Sequence, residues 1–124
     1  MIAPSANGTV AQYTSSSQAD SDYRTEVMQV FLETAPPVYD KLIRALQDED
    51  WEQARANAHW LQGGATRMVN ADLQQRLRSI ELRCRESSPV VQADDLEALA
   101  SAFHNAVITA RACVQPPNAY SASI

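Results

Sequence analysis

A histidine followed closely by two glycines lies inside a stretch that otherwise reads as regular helix, Ala58-His59-Trp60-Leu61-Gln62-Gly63-Gly64-Ala65. A neutral imidazole carries a free ring lone pair and is a nucleophile near neutral pH, because its unperturbed pKa is about 6.5. It can take up a phosphoryl group and hold it as a covalent phosphohistidine. That chemistry asks for exposure, room for a partner and donors for the phosphoryl oxygens. Gly63 stands one turn beyond His59 on the same helix face and supplies room. Gln62, also one turn away, supplies an amide donor, and Arg55, one turn before, supplies positive charge. A mid-helix glycine costs about 1 kcal/mol relative to alanine, so the pair gives up roughly 2 kcal/mol of helix stability.

The helix that carries these residues is expected to begin at Asp50, an N-cap residue with Gln53 three positions on to complete a capping box. Its apolar seam is Trp51, Ala54, Ala58, Leu61, Ala65 and Met68 at alternating spacings of three and four. That periodicity is a bundle seam. His59 falls one position off it, on an outward line with Arg55, Gln62, Gly63 and Thr66, so its ring is expected at the core edge and open to solvent. Asn70 is expected to end this helix, since asparagine tolerates the left-handed conformation of a helix end.

Three further amphipathic segments surround it. The first runs from about Ser21 to Asp48 with an apolar face of Val27, Val30, Phe31, Val38, Leu42, Ala45 and Leu46. Pro36-Pro37 is expected to kink or briefly break it. The third, about Ala71 to Ser87, carries Leu73, Leu77, Ile80 and Cys84 and stops at Ser88-Pro89. The fourth, about Gln92 to Val114, carries Leu96, Leu99, Phe103, Ala106, Ala110 and Cys113. These predict an all-α, antiparallel four-helix bundle over residues 20–114, with an N-terminal helical extension or a kinked first helix. Residues 1–19, rich in Ser, Ala and Thr, read as a disordered tail or linker, and residues 115–124 as a flexible tail.

With 124 residues and a net charge of −5, the chain is a single acidic domain, which speaks against general nucleic-acid binding. Five of its ten basic residues nevertheless cluster as Arg67, Arg76, Arg78, Arg83 and Arg85. Such a face suits an acidic protein partner, or is a solvated face paired with neighbouring helices. Cys84 and Cys113 fall within apolar patterns and read as buried thiols of a reducing compartment. The start lacks the charged and apolar regions of a signal peptide, and no apolar run reaches membrane-span length. The protein is expected in the cytoplasm, as a monomer, without membrane attachment.

The run Ala58-His59-Trp60-Leu61-Gln62-Gly63-Gly64-Ala65 resembles the A-H-x-L-K-G-x-A signature of histidine-containing phosphotransfer (HPt) domains. Val69-Asn70-Ala71 stands where that family has L-G-A, and Leu73-x3-Leu77-x2-Ile80-Glu81 is similar to its L-x3-C-x2-L-E helix. Upstream, Phe31-Leu32-Glu33-Thr34-Ala35-Pro36 resembles F-L-E-E-x-P, so the likeness covers about residues 22–113. It departs at Gln62, where the family has lysine, and at Asn70, where it has glycine. The resemblance implies a phosphoryl carrier rather than an ATP-using enzyme: a receiver domain passes its aspartyl phosphate to His59, and a second receiver collects it. It implies phosphoryl stabilisation by Gln62 and Arg55, with charge from Arg55 or Arg67 in place of the lysine. Partner docking falls to Gly63, Thr66, Arg67 and Arg85. No cofactor is expected on this chain, the divalent metal belonging to the receiver.

Two other readings compete. A non-catalytic helical interaction module would use the arginine-rich third helix to bind an acidic partner. A metal-dependent or hydrolytic enzyme would use His59, but no second histidine or carboxylate cluster stands at metal-ligand spacing around it. His104 serves as an internal control. It too neighbours a seam residue, Phe103, yet Val107 and Ile108 would crowd any partner, and it reads as incidental. Gly64, beside the seam residue Ala65, is expected to serve close helix packing, and Trp60 either covers a neighbouring helix or belongs to an exposed docking patch.

Overall fold

A computed structural model describes the backbone from Ile2 to Val114 and the side chains of residues 19–114. It contains four helices, α1 (Ile2–Gln47), α2 (Trp51–Arg67), α3 (Ala71–Cys84) and α4 (Ala93–Val114), and no strand among the described residues. Short turns reverse the chain between successive helices, giving the antiparallel bundle that the seams predict. α1 packs on α2 and α4, and α3 packs on the same two helices.

The core follows the seams of α2, α3 and α4 closely. Ala54, Ala58, Leu61, Ala65, Leu73, Leu77, Ile80, Leu99, Ala106 and Ala110 are all buried. Trp51, Leu96 and Cys113 are only half-buried at its margins, while Cys84 is buried. Phe103 of α4 stacks on Tyr39 of α1 with ring centroids 4.2 Å apart, and lies 5.8 Å from Phe31. Such aromatic pairs add about 0.5–1.5 kcal/mol beyond the area they bury.

α1 can be compared with its expected form at three points. The helix begins at Ile2, in keeping with the N-terminal helical extension that was one of the two expected forms, and it runs through residues otherwise read as a tail or linker. Pro4 lies in its first turn, where a missing N–H loses no helical bond, and no later proline interrupts it before Pro36. The helix also continues through Pro36-Pro37, where a kink or a short break was expected, without a break. Buried residues on both sides, Phe31 and Ala35 before and Leu42 after, hold both halves to the same core. The inward register is Met28, Phe31, Ala35, Leu42 and Ala45, so Met28 and Ala35 replace Val30, which is half-exposed. Residues 115–124, expected to be a tail, lie outside the described residues.

The two turns that flank α2 are built alike. After α1, Asp50 N–H donates to the Ala45 carbonyl and Glu49 N–H to Leu46, with Glu49 left-handed at φ 57°. After α2, Asn70 N–H donates to Ala65 and Val69 N–H to Thr66, with Val69 left-handed at φ 56°. Both are Schellman turns. The residue that closes each turn also caps the next helix: Asp50 Oδ1 accepts from Gln53 N–H at 3.3 Å, and Asn70 Oδ1 from Leu73 N–H at 3.0 Å. The left-handed position is therefore Val69, one residue before the expected Asn70, whose own φ is −108°.

Candidate functional site

His59 stands eight residues from each end of α2, at its midpoint. Ala58 beside it is fully buried, whereas the His59 side chain is 75% exposed. The off-seam register thus sets the imidazole on the bundle wall rather than in the core.

The ring meets one carboxylate. His59 Nδ1 lies 3.3 Å from Glu81 Oε2 and 3.5 Å from Oε1, across the α2–α3 contact. Glu81 is buried, and it is the only charged or polar residue in that class among the described residues. Three groups converge on it. The Gln62 amide donates to Oε1, Arg85 Nη2 donates to Oε2 at 3.1 Å, and His59 Nδ1 faces both oxygens. Burial pushes the Glu81 carboxyl up, but the hydrogen bonds from Gln62 and His59 and the charges of His59 and Arg85 outweigh it. The net direction is down, so the group is ionised at neutral pH.

An ionised carboxylate can only accept hydrogen bonds. Nδ1 must therefore carry the proton, and in the neutral ring the lone pair resides on Nε2. The same logic orients Gln62, whose NH2 rather than its carbonyl must face Glu81. The site is an exposed imidazole with its tautomer fixed from below and its outer nitrogen left free for an incoming electrophile.

Other residues singled out from the sequence take varied positions. Gln62 is engaged with Glu81. Arg55 is half-buried and makes no ion pair with Glu81; its charge acts on the Cys84 thiol, which burial pushes up despite that arginine. Arg85, expected at a docking surface, is exposed and supplies the cation on Glu81. Thr66 is exposed, and its hydroxyl donates back to the Gln62 carbonyl at 2.9 Å. At Gly63 an added Cβ would lie 3.7 and 3.9 Å from the two terminal nitrogens of Arg67, an ordinary contact distance. At Gly64 it would lie 3.7 Å from Phe31 Cδ1, so the packing there does not exclude an alanine.

Glu81 is the residue that sequence reasoning did not assign to the site. It appears there only as the last letter of the α3 pattern, beside the seam residue Ile80. A lone carboxylate next to a seam position in an arginine-rich helix was the available signal. Of that arginine cluster, Arg76 pairs with Asp72 at 3.4 Å and Arg83 with Asp95 of α4 at 3.5 Å. His104 is exposed, and no hydrogen bond or ion pair involves it among the described residues.

Beside His59, α1 and α2 enclose an apolar cavity of about 330 Å³ lined by Tyr23, Val27, Val30, Phe31, Trp60 and Arg67, among others. Tyr23, Val30 and Trp60 are 60%, 50% and 45% exposed, a concentration of large apolar surface on one side of the histidine. Trp60 therefore belongs to an open patch. No described helix is long and apolar enough to cross a membrane.

Comparison with known proteins bears on this arrangement. No curated protein and no solved structure matches the chain. The Hpt domain family model matches residues 26–112, from the first inward turn of α1 to the end of α4, and takes in His59, Gln62, Glu81 and Arg85. The chain therefore belongs to the Hpt domain family, whose members act in phosphotransfer in two-component signalling.

Proposed function

We propose that this protein carries a phosphoryl group on His59 Nε2 between receiver domains of a phosphorelay. The observation that supports it best is the exposed imidazole whose Nδ1–H is held by the ionised Glu81. Nε2 attacks the phosphorus of a receiver aspartyl phosphate. The P–O bond to the aspartyl oxygen breaks, its electron pair stays on the departing carboxylate, and the Nε2–P bond forms. The proton remains on Nδ1, where Glu81 balances the positive charge the ring acquires. Reversal of these steps on a second receiver returns the neutral imidazole. The divalent metal and acidic pocket belong to the receiver, and the chain works as a cytoplasmic monomer.

The exposed Tyr23–Val30–Trp60 patch adjoins the nucleophile and offers an apolar seat for the receiver. The interaction-module reading draws less support, because three of the third helix's four arginines are already paired within the bundle. Incubation with a phosphorylated receiver is expected to label the protein, and His59→Gln is expected to abolish labelling. Label that persists in His59→Gln, or that maps to His104, overturns the proposal.

A further inference from the structure

His59, Gly63 and Arg67 follow one another at four-residue spacing on α2, so they form a single line along its outer face. Helical side chains lean toward the N-terminus, and a long arginine covers the turn before its own Cα. Arg67 does this: its guanidinium lies against Gly63, with its terminal nitrogens 3.7 and 3.9 Å from the place where a Cβ would stand. A charge that originates two turns from His59 is thereby delivered to within one turn of it. Arg67 has no carboxylate within ion-pair distance among the described residues, although Glu26 lines the same cavity. Of the other nearby cations, Arg85 is committed to Glu81 and Arg55 is half-buried, whereas the Arg67 guanidinium is exposed and lies on the His59–Gly63 line.

From this geometry we infer that Arg67, folded over Gly63, is the cation that stabilises the phosphoryl group at His59, in the role Gln62 cannot fill. The inference rests on the phosphohistidine reading and deepens it. In phosphoryl transfer the charge spreads over three equatorial oxygens, so a guanidinium one turn from the nucleophile favours arrival of the group. Gly63 then has a second role, since a large side chain at that position would displace the guanidinium from the line.

The test uses a small donor, so that receiver docking plays no part. Phosphoramidate loads His59 directly: the donor P–N bond breaks, ammonia leaves, the Nε2–P bond forms, and the Nδ1 proton stays on the ring. Loading of the full chain is followed by phosphorus NMR. Arg67→Gln is expected to load about threefold more slowly, in keeping with an exposed charge pair, and Arg67→Lys to recover part of that loss. Raising the salt should erase the difference between wild type and Arg67→Gln. Gly63→Leu should be slow and add no further loss on top of Arg67→Gln. Equal rates for wild type and Arg67→Gln at low salt, or fully additive losses in the Gly63→Leu/Arg67→Gln pair, overturn the inference and leave the phosphohistidine reading standing. Absence of any phosphohistidine at His59 in the wild type overturns both.

Discussion

Glu81 of α3 reaches across the bundle wall to His59 of α2, its Oε2 3.3 Å from the ring Nδ1, while it also accepts from Gln62 and Arg85. One buried carboxylate thereby decides which imidazole nitrogen is available for chemistry. For metal-bound histidines, loss of the partner that orients the ring typically costs about ten- to a hundredfold in affinity or activity. Glu81→Ala is expected to slow phosphoryl loading of His59 by about tenfold. Nitrogen NMR of the ring should show the Nδ1–H form in the wild type and a mixture of tautomers in Glu81→Ala. Glu81→Gln keeps an acceptor oxygen but loses the charge, and should retain the tautomer while loading more slowly than wild type.

The same carboxylate makes stability depend on pH. Its pKa lies below the ordinary value of 4.5 in the folded protein, because its hydrogen bonds and charged neighbours outweigh burial. A lowered folded value means that the unfolded chain binds the proton more readily. The stabilisation from Glu81 is thus fully present above about pH 4.5 and is lost as pH falls through the lower folded value. Urea unfolding at a series of acidic pH values should show this loss, and Glu81→Gln should flatten it.

Val69 adopts a left-handed backbone with a β-branched side chain that is 89% exposed. Left-handed geometry costs a residue with a Cβ about 1–2 kcal/mol, and this side chain buries little in return. Val69→Gly is expected to raise unfolding stability by about 1 kcal/mol. Glu49→Gly, at the equivalent position of the other turn, should act in the same direction. Val69→Gly should not alter phosphoryl loading.

Neither glycine beside His59 is excluded from becoming alanine by its surroundings, since each added Cβ meets its neighbour at an ordinary 3.7 Å. Gly63→Ala and Gly64→Ala should each stabilise the protein by about 1 kcal/mol through helix propensity. Thermal melts check this. A loss of stability in Gly64→Ala would show that the Phe31 contact is tighter than its distance indicates.

Trp60 separates docking from chemistry. Trp60→Ala is expected to lower the rate of transfer from a phosphorylated receiver by about tenfold, as loss of an aromatic anchor does. Loading from phosphoramidate should be unaffected. Equal transfer rates for Trp60→Ala and wild type would remove the apolar patch from the interface.

Much of this architecture was legible from spacing alone. The seams of α2, α3 and α4 follow a three-four repeat, and Ala58, Leu61, Leu77 and Leu99 are buried where that repeat places them. α1 was harder because its inward line mixes Met28 and Ala35 with larger residues, and Val30 is apolar on the outer side. Pro36-Pro37 suggested a short break because local propensity counts lost hydrogen bonds, whereas the helix runs unbroken, held by burial of Phe31 and Leu42 on either side. His59 and Gln62 were visible in one short stretch of a single helix. Glu81 was not, because its place beside them depends on how α3 is rotated against α2, which periodicity does not specify. Arg67 belonged on the outward line by the same counting that placed Gly63, but only the direction of its side chain showed where its charge goes.

The position of His59 at the midpoint of α2 has a further consequence. Helix ends bind anions through free backbone N–H groups and the positive end of the dipole, and both influences fade within one turn. Eight residues from either end, neither reaches the imidazole. A phosphoryl group on Nε2 would therefore be held by side chains alone, each free to swing away or be exchanged for a partner's. Its stabilisation would then be limited to what such side chains supply. A rigid backbone cradle would retain the group more firmly, whereas this placement would leave it easier to release.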